Sequence, residues 1–196
     1  MKLLIASRNV HKIRECKALL RQLPNLDIIS LLDFPNYVPP EETGRTFEEN
    51  ALLKATHAAS ALDCYALADD SGLVIPALGG APGVYSARYA GLTAGDADNR
   101  KKLLQEMRSL PEQQRSGYFE CCLALASPQG IKKIACARCE GTIATEEKGN
   151  KGFGYDSLFI KHEYSKTFGE LDEATKNRVS HRRKALDRIL LTLEQL

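Results

Sequence analysis

The sequence predicts an α/β fold built on a mixed β-sheet. Three observations predict it. Short apolar runs alternate with segments of helical period through the first half of the chain. Two longer apolar runs, Tyr118 to Ser127 and Ile131 to Thr142, flank Pro128-Gln129-Gly130 and read as an antiparallel hairpin. The 196 residues, 43% of them hydrophobic, suffice for one packed domain spanning residues 1–196. Alternating strands and helices favour parallel pairing, whereas a hairpin is antiparallel, so the sheet is expected to be mixed.

The elements follow in order. Residues 2–6 form an apolar strand; the run is too short for a signal peptide and breaks at Arg8-Asn9. Val10, Ile13, Cys16, Leu20 and Leu23 recur at helical spacing, predicting a helix of about four turns with these residues inward. A short strand lies between Asn25 and Leu31, and the proline-rich stretch Asp33 to Arg45 is a loop. Thr46-Phe47-Glu48-Glu49 fits a capping box that opens a helix running to about Leu62, on which Asn50 and Lys54 share a face. Tyr65 to Ala68 is a strand expected to end at Asp69-Asp70, with another short strand over Leu73 to Ile75. Asp96 to Leu110 is a helix, Gly149 to Asp156 a glycine-rich loop, and the tail from about Asn177 one helix with Val179, Leu186, Ile189, Leu190 and Leu193 inward.

Four segments carry chemistry. Asp69-Asp70-Ser71-Gly72 places two acids at an expected strand end, where ligands of α/β sheets bind; such oxygens suit magnesium or the orienting of a water, and the plainer alternative is a solvated turn. Ser7-Arg8-Asn9-Val10-His11-Lys12 joins the first strand to the first helix. That helix start is a phosphate seat with Lys12 adding charge, or simply an Asn-capped terminus, and it lacks the Walker A pattern. Glu41-Glu42-Thr43-Gly44 is a solvated acidic pair, or joins Asp70 in a carboxylate set for Mg²⁺. In Gly149-Asn150-Lys151-Gly152-Phe153-Gly154-Tyr155-Asp156 the glycines leave room for a flat ligand to stack on Phe153 while Asp156 meets its polar edge or sugar; otherwise Phe153 is core. Lys176, His181 and Arg182 add donors for a base carbonyl or phosphate, and Arg183 reads as solvated surface.

Composition narrows the classes. A net charge of +2 and the lack of a polybasic tract argue against nucleic-acid or membrane partners, and no run approaches the length of a membrane span. Six cysteines are scattered mostly in apolar runs, where they act as small hydrophobes. Cys136-Ala137-Arg138-Cys139 has CxxC spacing without the partners of a zinc site. On a strand its two thiols point apart, which disfavours a redox pair.

Taken in order, Ser7 to Lys12, Glu41 to Gly44, Phe47 to Ala51, Ala68 to Gly72, Gly79 to Gly83, Gly152 to Asp156 and Ser180 to Arg182 resemble the inosine triphosphate pyrophosphatase family across nearly the whole chain. The resemblance implies hydrolysis of dITP, ITP and XTP to the monophosphate and pyrophosphate with Mg²⁺ by a homodimer; a cytoplasmic location is expected from the lack of a signal peptide or membrane span in the sequence. It implies an elongated mixed sheet flanked by helices, in two lobes with a central nucleotide cleft. By position, Asp70 would be catalytic and Glu41 with Asp70 the metal site. Ser7, Arg8, Asn9, Val10, His11, Lys12, Lys54, Ser71, Phe153, Gly154, Tyr155, Asp156, Lys176, His181 and Arg182 would bind the nucleotide. Asp69 stands open as a sharer of the base or metal role. The chain departs from relatives at Ser7-Arg8-Asn9, where Thr-Gly-Asn is common, and at Ser157, where proline is common.

Overall fold

The computed structural model describes residues 2–195. Among these, six strands hydrogen-bond in the order β2-β1-β3-β4-β5-β6. The strands are β1 (Lys2–Ile5), β2 (Asp27–Ser30), β3 (Tyr65–Val74), β4 (Ser116–Ser127), β5 (Gly130–Ile143) and β6 (Phe159–Lys161). The helices are α1 (Val10–Leu20), α2 (Phe47–Leu62), α3 (Asp96–Glu106), α4 (Glu173–Val179), α5 (His181–Asp187) and α6 (Leu190–Glu194). β1 pairs in parallel with β2 and with β3, while β5 pairs antiparallel with β6. The sheet is therefore mixed and flanked by helices, as expected.

The chain gathers into two compact units. The first comprises Met1–Asp70, Cys121–Ala137 and Arg182–Leu196. Its core joins Leu3, Leu67, Leu123 and Leu125 from the strands to Leu19 and Leu20 of α1 and Ala185 and Leu186 of α5. The second comprises Ser71–Glu120 and Arg138–His181, with a core of Leu73, Ile75, Leu103, Met107, Phe119, Ile143, Phe159 and Phe168.

Five local expectations change. α1 ends at Leu20, after three turns, and Val10 is 58% exposed, so the inward face is Ile13, Glu15, Cys16, Leu19 and Leu20. At α2, Thr46 Oγ1 accepts from the Glu49 amide at 3.1 Å, but Glu49 returns to the amide of Arg45 at 2.6 Å, one residue before the cap. The tail is three helices: Ser180, extended at φ −70°, ψ 161°, ends α4, and a turn at Arg188-Ile189 separates α5 from α6. Cys122 and Cys136 form a disulfide, and Cys16, Cys64, Cys121 and Cys139 lie outside it. Finally, β3 does not end at the acids: it continues through Asp69-Asp70-Ser71-Gly72 to Val74. A strand alternates its faces residue by residue, so the two carboxylates leave the backbone in opposite directions.

Candidate active site

The register explains why the acids remain at a strand end in another sense. β1 pairs with β3 only through Ile5, opposite Leu67. Asp69 and Asp70 therefore lie beyond the carboxyl end of β1, where the chain turns into α1. Their opposite directions give them different surroundings, both built within the first unit.

Asp69 enters a buried ionic cluster. Lys12 Nζ lies 2.5 Å from its Oδ1, and Arg182 Nε donates to its Oδ2 at 2.8 Å. The Cys121 thiol adds a third contact at 3.0 Å. Arg182, 1% exposed, also binds Glu15 of α1. Burial alone would raise the Asp69 carboxyl, but the Arg182 guanidinium and the Lys12 ammonium outweigh it and hold it well below the usual carboxylate range. The same acids outweigh the desolvation of Arg182 and keep it charged. A carboxylate with so depressed a pKa is a poor proton acceptor.

Asp70 is the opposite case. Its Oδ1 takes Lys54 Nζ at 2.8 Å and its Oδ2 takes the Asn50 amide at 3.2 Å. Here burial wins over the attraction of Lys54 and Lys12, and the Asp70 carboxyl is raised. The two residues of α2 that reach it, Asn50 and Lys54, are the pair placed on one face by their spacing. Lys54 also holds Glu42 Oε1 at 2.9 Å, and these two acids overcome its desolvation and raise it.

The acidic loop is seated by glycine. The Gly44 amide donates to Asn50 Oδ1 at 2.8 Å, and a Cβ at Gly44 would lie 2.5 Å from that oxygen and 2.9 Å from the Asn50 backbone nitrogen. Glu42 is half-buried on Lys54, whereas Glu41 is exposed. At the start of α1, Asn9 Oδ1 accepts from the amides of His11 and Lys12 at 2.9 and 3.1 Å, and Ser7 Oγ accepts from the Asn9 amide. The helix start is thus an Asn cap in this structure. Arg8 donates to loop carbonyls, at 2.6 Å to Tyr37 and 3.3 Å to Pro35. His11 is half-buried and Val10 projects outward.

The second unit holds a separate polar group. Lys176 Nζ lies 2.5 Å from Asp156 Oδ2, both residues being buried, and 4.9 Å from the Phe153 ring centre. Asp156 Oδ2 also accepts from the Phe153 amide at 2.9 Å, which curls the glycine-rich loop onto its own carboxylate. Gly154 is fixed through both backbone groups: its amide donates to Asp96 and its carbonyl accepts from Arg100. Tyr155 is buried, its hydroxyl donating to the Ser86 carbonyl at 2.9 Å. His181 stacks on Phe119 at 4.8 Å, and Ser71 is half-buried on β3.

Gly152, at φ +75°, is where this loop tolerates no side chain, since a Cβ would fall 2.0 Å from Asp156 Oδ2. Gly152→Ala is therefore expected to push Asp156 off Lys176 and the Phe153 amide. Strain at positive φ and loss of a buried contact together predict a loss of about 1–3 kcal/mol in urea unfolding. A variant as stable as the parent, with unchanged nucleotide KM, would remove this role for Gly152.

Two participants escaped the sequence reading. Glu15 is a buried acid on the inward face of α1, and its place four residues before Leu19 on that stripe was the available signal. Tyr37 is buried within an otherwise exposed loop stretch, its hydroxyl 2.7 Å from His57 Nδ1. Arg183, by contrast, pairs with Asp187 at i,i+4 on a partly exposed face.

Comparison with known proteins places the chain in a family. The Ham1 family model matches residues 3–191. A protein of Protochlamydia amoebophila named dITP/XTP pyrophosphatase is 55% identical over 100% of this chain and 99% of its own. One of Chlamydia trachomatis with the same name is 58% identical over 95% of this chain and 90% of its own. Among solved structures, a HAM1 protein from Coxiella burnetii superposes with a TM-score of 0.89 at 41% identity, covering 100% of both chains. The Staphylococcus aureus Ham1 protein gives 0.87 at 38%, over 100% of this chain and 99% of its own. With its fold and nearly its whole length matched, the chain belongs to the Ham1 family.

Proposed function

We propose that this protein hydrolyses the deaminated purine nucleoside triphosphates dITP, ITP and XTP to the monophosphate and pyrophosphate, removing them from the nucleotide pool. The observation that carries the mechanism is the division between the adjacent acids. Asp69 is neutralised in a buried cluster, while Asp70 is a carboxylate of raised basicity held by Asn50 and Lys54. Curated relatives carrying the name dITP/XTP pyrophosphatase support the substrate class.

Asp70 accepts a proton from a water that attacks the α-phosphorus, and pyrophosphate leaves. Asn50 fixes the carboxylate, and Lys12 and Lys54 offset the charge of the triphosphate. Ser7, Asn9, Val10 and His11 line the phosphate end of the ligand.

The residues also fit a divalent cation. An ammonium already bridges the Asp70 and Glu42 carboxylates at 2.8 and 2.9 Å, so the donor set suits a cation. No group of three or more His, Cys, Asp or Glu among the described residues is arranged to hold a metal, so phosphate oxygens and waters would complete an Mg²⁺ shell. Asp70 with Glu42 would hold it, Glu41 lying next in the same loop. Bound there, Mg²⁺ would supply charge neutralisation at the phosphate oxygens.

In the second unit, Phe153 offers a face to the purine, flanked by Gly154 and Tyr155. Asp156 and Lys176 meet the base's polar edge, with His181 and Ser71 as further polar contacts. Donors such as Lys176 pair with a 6-oxo group and are left unpaired by the amino group of adenine, which selects against ATP. The same proposal extends to a cytoplasmic homodimer; sedimentation at micromolar concentration tests the dimer, and a monomer would remove it. No helix among the described residues is long and apolar enough to cross a membrane.

A nucleotide panel with and without Mg²⁺, resolving mono- from diphosphate products, tests the activity. Turnover of dITP and XTP to monophosphate, far above ATP, is expected. Diphosphate products, or preference for methylated UTP as in the related Maf-type enzymes, would overturn it.

A further inference from the structure

We propose that Arg8 is a positioning residue that straps the loop of residues 34–43 to the β1–α1 turn and thereby sets Glu42 against Lys54 and Asp70. The inference rests on the catalytic assignment of Asp70 for its effect on turnover, but the strap itself is a matter of geometry.

The loop has few ways to hold itself. It contains Pro35, Pro39 and Pro40, which lack a backbone donor, and it forms no strand or α-helix. Its backbone groups must find partners elsewhere. Tyr37 is the anchor, 8% exposed, while its neighbour Val38 is 78% exposed. Three bonds meet there. The Tyr37 amide donates to Phe34 O, its hydroxyl lies 2.7 Å from His57 Nδ1 on α2, and its carbonyl accepts from Arg8 Nη2 at 2.6 Å. The same Arg8 nitrogen reaches Pro35 O at 3.3 Å, so one guanidinium bridges two carbonyls in the loop.

Farther along, the Gly44 amide is held by Asn50 and the Arg45 amide by Glu49. The loop is thus pinned at Tyr37 and again at Gly44–Arg45, and Glu42 lies between the pins. Glu42 supplies one of the two acids on Lys54, and Asp70 supplies the other. Removing Arg8 weakens the pin at Tyr37 and loosens the span that carries Glu42, while the Tyr37–His57 contact keeps the fold. A guanidinium suits this task because its Nη2 carries two N–H groups, enough for both carbonyls, and a charged donor strengthens each bond.

The test compares Arg8→Ala and Arg8→Gln with the parent chain. Gln keeps a donor for a carbonyl but carries no charge. In hydrogen exchange without nucleotide, Arg8→Ala is expected to speed the Tyr37 and Gly44 amides about tenfold, and Arg8→Gln to restore part of the protection. In turnover, Arg8→Ala should lower kcat about tenfold with little change in KM, because misplacement of a working group affects the step more than binding. Unchanged exchange at both amides overturns the strap. So does a raised KM with kcat intact in both variants, which would make Arg8 a direct phosphate contact. Should the parent show no pyrophosphatase activity, the functional assignment falls, and exchange alone still decides the strap.

Discussion

Asp70→Asn is expected to abolish release of pyrophosphate from dITP, lowering kcat by about 10²–10⁴-fold, the usual range for loss of a positioned general base. The substitution keeps the shape of the side chain and an oxygen for Lys54, but its new amide meets the Asn50 amide, a second donor, where Oδ2 had been the acceptor. The effect on turnover falls on proton acceptance, and two opposing effects act on stability. Burial raises the Asp70 pKa above its ordinary 3.8, so its protonated form is favoured by the fold. Its contribution to stability is present below that ordinary value and is lost as pH rises through the raised one. Ionised Asp70 is therefore a cost at neutral pH that Asn removes, while the lost Asn50 bond and the lost charge beside Lys54 act the other way, so the Tm is expected to change little. In the parent chain, kcat/KM should fall on the acid side at a pH above that of an ordinary aspartate, and the variant's residual rate should lose this limb. Retained turnover in Asp70→Asn, with the parent's acid limb intact, would transfer the base role to another group.

The secondary structure was legible where local chemistry decides it. Thr46 caps α2, the Pro128-Gln129-Gly130 punctuation separates two long strands, and Asn9 opens α1. It was misread at β3 because Asp, Ser and Gly signal a turn, whereas Lys12, Lys54, Asn50 and Arg182 supply the partners that let two acids remain inside a strand. Gly72 belongs to the same lesson: a Cβ there would meet Ser86 Oγ at 2.3 Å, so that glycine marks a close approach within a strand. The tail was read as one helix because its apolar spacing is nearly continuous, whereas an extended residue, Ser180, and a turn at Arg188-Ile189 break it.

At the candidate site, the sequence reading named both adjacent acids, with Asp70 as the catalytic one, and left open whether Asp69 shares its base or metal role. Asp69 and Asp70 are chemically identical neighbours, and what separates them arrives from elsewhere in the chain. Arg182 lies 113 residues from Asp69 and 167 from Glu15. No local spacing announces such a cluster. The resemblance pointed to Glu41 as the metal partner of Asp70, whereas in the structure it is the neighbouring Glu42 that Lys54 holds.

Arg182→Met tests that buried cluster and carries the largest expected effect on stability. The arginine is 1% exposed and fills the space between Asp69 and Glu15. Methionine keeps much of the volume but strips two buried acids of their principal cation, and breaking a buried pair from one side costs about 3–5 kcal/mol. Urea unfolding at pH 7 should show a loss of that size. Lys12 remains on Asp69, so Glu15 is the acid left most exposed to the penalty, and adding Glu15→Gln should recover part of it. The pH dependence gives a second check. In the parent, the depressed pKa of Asp69 contributes stability that is present above its ordinary 3.8 and lost as pH falls through the folded value. Without Arg182 that depression shrinks, and Asp69 takes up a proton more readily. The gap between variant and parent should therefore narrow as pH falls from 7 towards 4. A gap under about 1 kcal/mol at pH 7, or one that widens on acidification, would mean that Asp69 is not neutralised by Arg182. The electrostatic distinction between the adjacent acids would then lose its basis.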